Sequence, residues 1–199
     1  MTTLETFRRL EHCLLEDTRP SQALKKIFNQ PLPPEFDLIQ RMKTTEQSPI
    51  HHPEGNVWNH TLLVVDEAAK RRGESKCPQA LMWAALLHDI GKPNTTRIRR
   101  GKITSYNHEK AGAALARRFL SGFGADQALT DRVCMLIRYH MQILFVVKEM
   151  PFADIKGMKE NSDIEEVALL GLCDRMGRRH SNLAAEEANV RRFMKKCGR

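Results

Sequence analysis

The sequence predicts an all-α fold, a helical bundle interrupted once by a small β-hairpin or irregular arm near residues 95–106. Three observations carry this. Aromatic residues make up only 6% of the 199, and the hydrophobic 41% is mostly Leu, Ala, Met, Ile and Val, a mixture suited to packed helices rather than a β-sandwich. Apolar residues recur at three- and four-residue intervals, the spacing of one helix face. Only TTRIRRGKITSYN, rich in Thr and Ile around Gly101, breaks that rhythm.

The elements follow in order. Thr2 and Glu5 have capping-box spacing and open a helix to about Asp17, which Arg19-Pro20 ends. Ser21 caps a second helix, SQALKKIF. PLPPEF is a break, because prolines give the backbone no donors. A short helix lies around Leu38 to Met42, and a polar loop runs on to Gly55. Asn56 to Arg72 is a helix stopped by Gly73, and Gln79 to His88 is another. Beyond the arm, helices span His108 to Leu120, Asp126 to Met141, Asp163 to Arg175 and Ser181 to Lys195. Residues 1–45 read as an N-terminal helical appendage, and 46–199 as the main domain with a basic C-terminal helix.

Composition narrows the function classes. The longest apolar run, Leu81 to Leu87, is far short of the roughly 20 residues that cross a bilayer, so no membrane partner is expected. The N-terminus lacks the apolar stretch of a signal peptide. Five scattered cysteines without a CxxC pair read as reduced thiols in a cytoplasm. A net charge of +8 suits nucleic acid, nucleotides or phosphate esters, and equally suits solubility alone. The same two readings hold for Arg178, Arg179, Arg191, Arg192, Lys195 and Lys196, as an RNA contact or a solvated helix face.

The chemistry lies in polar residues on apolar stripes. His60 sits among Val57, Thr61, Val64 and Ala68; His88 continues Leu81, Ala84 and Ala85. His140 continues Val133, Leu136 and Ile137, and Asp174 continues Val167, Leu170 and Gly171. Any one of these alone is most simply a buried residue with a hydrogen-bond partner. Four together point to a shared cation, since an unpaired buried carboxylate is costly. Imidazole and carboxylate suit Mn, Fe, Co, Ni or Zn. In His88-Asp89 both side chains reach one ion if the helix ends there, with Gly91 relaxing the backbone beyond. Lys92 then grips a phosphate oxygen or is a solvated surface lysine. His51, His52 and Glu54 line a substrate entrance or do nothing.

The order His60, His88-Asp89, Asp174 resembles the H…HD…D signature of the HD superfamily of metal-dependent phosphohydrolases, and LLHDIGKP its HDIG variant. NHEKAGA adds His108 and LIRYHM adds His140, which resembles the two-metal branch. From Pro53 to Arg178 the chain is similar to the C-terminal HD domain of bacterial tRNA CCA-adding enzymes. The resemblance implies an HD helical bundle and, as cofactors, two divalent ions drawn from Mn, Fe, Ni, Co or Mg. It implies that His60, His88, Asp89 and Asp174 hold the first ion, and His108 and His140 the second with Asp89 bridging. Asp89 and Lys92 then carry catalysis, and Lys92 and Arg175 contact substrate, although Arg175 serves equally well as a brace for Asp174.

The implied function is hydrolysis of phosphomonoesters or phosphodiesters of nucleotides or RNA ends by metal-activated water, of the 2′,3′-cyclic phosphodiesterase and phosphatase type. The alternative is a catalytically silent HD scaffold that binds RNA. No Gly-Ser followed by paired aspartates occurs, so CCA addition is not expected, and the GYP motif of cyclic-di-GMP hydrolases is also missing.

Overall fold

The computed structural model describes residues 2–198. The capping box forms as expected: Glu5 N–H donates to the Thr2 hydroxyl, and Thr2 N–H donates to the Glu5 carboxylate. It opens α1 (Thr3–Glu16), which buries Phe7, Leu10, Cys13 and Leu14. Helix α2 (Pro20–Phe28) begins with Pro20 in its first turn, where a missing N–H costs nothing. Its cap is Arg19 and not Ser21, because Ser21 lies inside the helix. The Ser21 hydroxyl and N–H instead donate to the Asp66 carboxylate, at 2.7 and 3.0 Å. A 3-10 turn (Pro34–Phe36) leads into the short α3 (Asp37–Arg41).

Helix α4 (Val57–Lys70), capped by the Asn56 side chain, carries Asp66. It closes at Arg71, whose N–H reaches the Ala68 carbonyl, and Gly73 falls within a separate 3-10 turn (Arg72–Glu74). Helix α5 (Pro78–Leu87) is the axis of the bundle. Every residue from Ala80 to Leu87 is buried, so it shows no polar face. Helices α1, α4, α8 (Gln127–Tyr139) and α11 (Ile164–Met176) pack around it.

Helices α1–α3 pack into the same core. Phe7 stacks on Trp83 at 4.9 Å and on Phe123 at 4.4 Å, and Phe28 meets Trp58 at 4.9 Å. Arg72 donates to the carbonyls of Leu14 and Asp17, satisfying the frayed end of α1.

The arm is a hairpin. After the one-turn α6 (Lys92–Thr95), β1 (Arg97–Arg99) pairs antiparallel with β2 (Lys102–Thr104), Arg99 opposite Lys102. Arg100 and Gly101 both take positive φ, +50° and +74°, as a two-residue turn of primed type demands. Helix α7 (His108–Gly122) then runs beside α8. Three short helices escaped the sequence reading: α6, α9 (Gln142–Val147) and α10 (Ile155–Asn161). At four to seven residues they are too short to show a period. The fold closes with α12 (Leu183–Lys196), capped by Asn182. Among the described residues no helix is long and apolar enough to cross a membrane, and all five cysteines are free.

Candidate metal centre

Five helices deliver one polar cluster into this apolar core. His60 comes from α4, His88 and Asp89 from the end of α5, His108 from the first residue of α7, His140 from the end of α8, and Asp174 from α11. All six are buried. They form two groups: His60, His88 and Asp174 in one, and Asp89, His108 and His140 in the other. Within each, the candidate ligand atoms lie within 4.8 Å of one another. Asp89 stands between them. Its Oδ2 is 3.3 Å from His88 Nε2, and its Oδ1 is 3.4 Å from His108 Nε2 and 4.0 Å from His140 Nε2.

Three of the four rings are aimed by their own chain. Nδ1 of His88 lies 2.9 Å from the Ala85 carbonyl, that of His140 2.7 Å from Ile137 and that of His108 2.7 Å from Ser105. A carbonyl only accepts, so Nδ1 carries the proton and Nε2 turns a lone pair inward. The Nε2 atoms of His108 and His140 then face each other at 3.3 Å, lone pair to lone pair. Burial pushes His140 down to about 3, helped by the charges of His108 and His88, and burial also lowers His108, so protonation does not relieve this contact at neutral pH. His88 Nε2 and Asp89 Oδ1 are buried without hydrogen-bond partners. Divalent cations fit these donors, and bound there they would satisfy these atoms.

The carboxylates are held ionised. Burial opposes the charge on Asp89, but Lys92, His88 and His108 outweigh it and keep the group well below its usual range. For Asp174 burial is likewise overcome, by the charge of Arg178 and the hydrogen bond from His60, whose Nε2 lies 2.9 Å from Oδ1.

Glu54 completes the cluster from behind. Its Oε1 sits 2.9 Å from both His52 Nδ1 and His60 Nδ1. The His52 contact is a well-formed hydrogen bond; the His60 contact is close but poorly aligned, an electrostatic contact rather than a directed bond. Burial pushes His52 down to about 4. Burial works against the Glu54 charge as well, yet the hydrogen bond with His52 and the close contact with His60 keep it ionised. Glu54 and His52 are buried beside His60, and His52 lines the neighbouring cavity together with the exposed His51.

The cluster forms one wall of a cavity of about 890 Å³. Lys92 lines it and is buried, its ammonium 2.7 Å from Asp89 Oδ2 and donating to Gln47 Oε1 at 2.5 Å. Arg178 also lines it, 3.4 Å from Asp174 Oδ2, with its buried Nε unpartnered. Arg175, expected at the substrate, turns away and donates twice to Glu186 of α12, at 3.2 and 3.1 Å. Gln47 went unread in the sequence, and Arg178 was read only as part of the basic C-terminal stretch, not as a neighbour of Asp174. The four-residue step from Asp174 to Arg178 was the available signal, whereas nothing marks a glutamine in a loop.

Gly91 has a different role from the expected one. Its φ of −77° suits any residue, so it relaxes nothing. What it provides is room, for a Cβ there would lie 2.1 Å from the His108 carbonyl oxygen and 2.7 Å from Gly112 N. The bare backbone lets α7 settle against the end of α5, which brings His108 to Asp89.

The HD domain family model matches residues 57–179, a span that contains all six candidate ligands. The chain belongs to the HD domain family. That places it in the superfamily of metal-dependent phosphohydrolases. Curated relatives are named Multifunctional CCA protein. One from Actinobacillus pleuropneumoniae serotype 5b (strain L20) is 35% identical over 107 residues, 54% of this chain and 25% of the relative. One from Halorhodospira halophila (strain DSM 244 / SL1) is 33% identical over 128 residues, 64% of this chain and 28% of the relative. Another, from Alkalilimnicola ehrlichii (strain ATCC BAA-1101 / DSM 17681 / MLHE-1), is 29% identical over 144 residues, 68% of this chain and 32% of the relative. The chain thus spans about a quarter to a third of the length of these relatives.

The Glu54 contact makes a prediction for this HD domain. Glu54→Gln is expected to weaken divalent-metal affinity roughly 10- to 100-fold, because a partner of a ligand ring sets its basicity and aim. Calorimetric titration of Mn into stripped protein checks this, and unchanged affinity would refute the assignment.

Proposed function

We propose that this HD domain is a divalent-metal-dependent phosphohydrolase. Its substrates would be phosphomonoesters or phosphodiesters of nucleotides or RNA ends, including 2′,3′-cyclic phosphates. The observation that carries this reading is Asp89, set between two ligand groups on the wall of a cavity that also presents Lys92 and Arg178. His60, His88, Asp89 and Asp174 would hold one ion, and His108 and His140 a second shared with Asp89; Mn, Fe, Ni, Co and Mg are all compatible with such ligands. Bound divalent ions supply an acidified water and neutralise charge on phosphoryl oxygens.

The chain's own residues do the rest. Asp89 stays ionised, with an oxygen toward each group. Lys92 exchanges its Gln47 contact for a phosphate oxygen, and Arg178 presents its free Nε–H to another. Arg175 fixes α11 to α12 and so steadies Asp174 and Arg178.

RNA is the proposed macromolecular partner. Arg97, Arg99, Arg100 and Lys102 are exposed on the hairpin, and the second strand runs on into the cavity wall at Ile103 and Thr104. Five free cysteines fit a reducing, cytoplasmic setting.

The test is hydrolysis of bis-p-nitrophenyl phosphate and 2′,3′-cyclic AMP by metal-stripped protein, with Mn, Ni, Co or Mg restored. Turnover that returns with metal supports the proposal. Metal binding without turnover, together with RNA affinity that falls steeply with salt, would favour the silent RNA-binding scaffold.

A further inference from the structure

The cavity is much larger than a phosphate group needs. At about 890 Å³ it is near the upper end of the roughly 300–1,000 Å³ range of sites that bury whole small ligands. Its lining has a distinct aromatic composition. The chain has only 12 aromatic residues, all within the described residues. Of these, only Tyr106 and Phe152 are exposed, at 72% and 55%, and both line this cavity. Phe145 lines it too, its ring centroid 5.6 Å from that of Phe152 with the planes 59° apart. A chain that buries or half-buries every other aromatic ring has left two bare in the lining of one cavity.

The rings are held by a built frame. Gln142, itself buried, donates from Nε2 to the Phe152 carbonyl at 3.4 Å and accepts from Asp154 N–H at 2.9 Å. Met150 N–H donates to the Phe145 carbonyl at 2.8 Å, folding residues 148–153 back onto the end of α9. Tyr106, also in the lining, directly precedes Asn107, which takes a φ of +59°, and His108. Tyr106 is thus two residues from a candidate metal ligand.

We propose that Tyr106 and Phe152, backed by Phe145, form a stacking site for a nucleobase whose phosphate lies at the metal cluster. This rests on the phosphohydrolase reading and narrows its substrate to nucleotides. Planar π-faces stack on aromatic rings whatever their hydrogen-bond edges, so the site takes a base without selecting one sequence. The same cavity presents two cations, Lys92 and Arg178, and bare aromatic rings, which match the two halves of a nucleotide.

The test compares AMP with ribose 5-phosphate, which carries a hydroxyl in place of the base, by calorimetric titration of the metal-free protein so that neither is consumed. AMP is expected to bind at least roughly 10-fold tighter, in line with base–aromatic stacking. Tyr106→Ala and Phe152→Ala should each remove most of that gap while leaving ribose 5-phosphate affinity unchanged. Phe152→Leu keeps apolar bulk without a π-face and should behave like Phe152→Ala. A trinucleotide ending in adenosine that binds tighter than AMP identifies an RNA end as the source of the base, and equal affinity identifies the free nucleotide. Equal binding of AMP and ribose 5-phosphate, no binding of AMP, or variants that leave the gap intact would each overturn the proposal. The phosphohydrolase reading fails differently, by absence of turnover with the base preference still present.

Discussion

Asp89→Ala is expected to abolish metal-dependent turnover, by more than about 10³-fold, and to lower the number of ions bound. Loss of a group one step behind a metal costs roughly 10- to 100-fold, and Asp89 faces both ligand groups directly, so its loss must exceed that. The variant also strips the buried Lys92 of its carboxylate, and breaking a buried pair carries its own stability penalty. Asp89→Asn separates the two effects, since it keeps the shape and an oxygen for Lys92 while removing the charge. Single-turnover kinetics and metal content by mass spectrometry read the outcome. If Asp89→Ala keeps full metal content and turns over within tenfold of the wild type, the shared-ligand assignment is wrong.

Gly91→Ala should be the most damaging single methyl in the protein. The new carbon would meet the His108 carbonyl and Gly112 N, both backbone atoms, so no rotamer change relieves the clash. Overpacking on this scale costs about 3 kcal/mol. In a chain of this size that lowers Tm by roughly 10 °C. Relief comes only if α7 moves away from α5, which carries His108 off Asp89, so metal binding should weaken along with stability. Scanning calorimetry with and without Mn reads both effects. An unchanged Tm would mean that α7 shifts freely, and that close packing here does not place His108.

The sequence disclosed the site unevenly, for physical reasons. His60, His140 and Asp174 stood out because α4, α8 and α11 are long enough to show a period, and a polar residue on an apolar face is then an anomaly. His88 was found at the end of α5, a helix whose burial on all sides leaves little amphipathic signal. His108 begins its helix and has no preceding turn to define a face, so only the resemblance supplied it. Glu54 and Gln47 act from a loop, where spacing carries no information. Gly91 shows how a conspicuous residue can be noticed for the wrong reason. Its position was legible as special, but not that its value lies in a neighbour's carbonyl. Ser21 likewise looked like a cap because nothing local announces Asp66, 45 residues away.

His88, His108 and His140 each find the carbonyl that orients their ring three residues back along the same chain. Ring orientation is therefore preorganised: it is fixed when the helix termini form and does not wait for an ion. Loading such a site is association with an existing receptor, with little ordering entropy to lose, unlike small zinc domains in which binding and folding are one event. Removing metal from this protein should leave its helix content intact in far-ultraviolet circular dichroism, and ions should exchange without passage through an unfolded state.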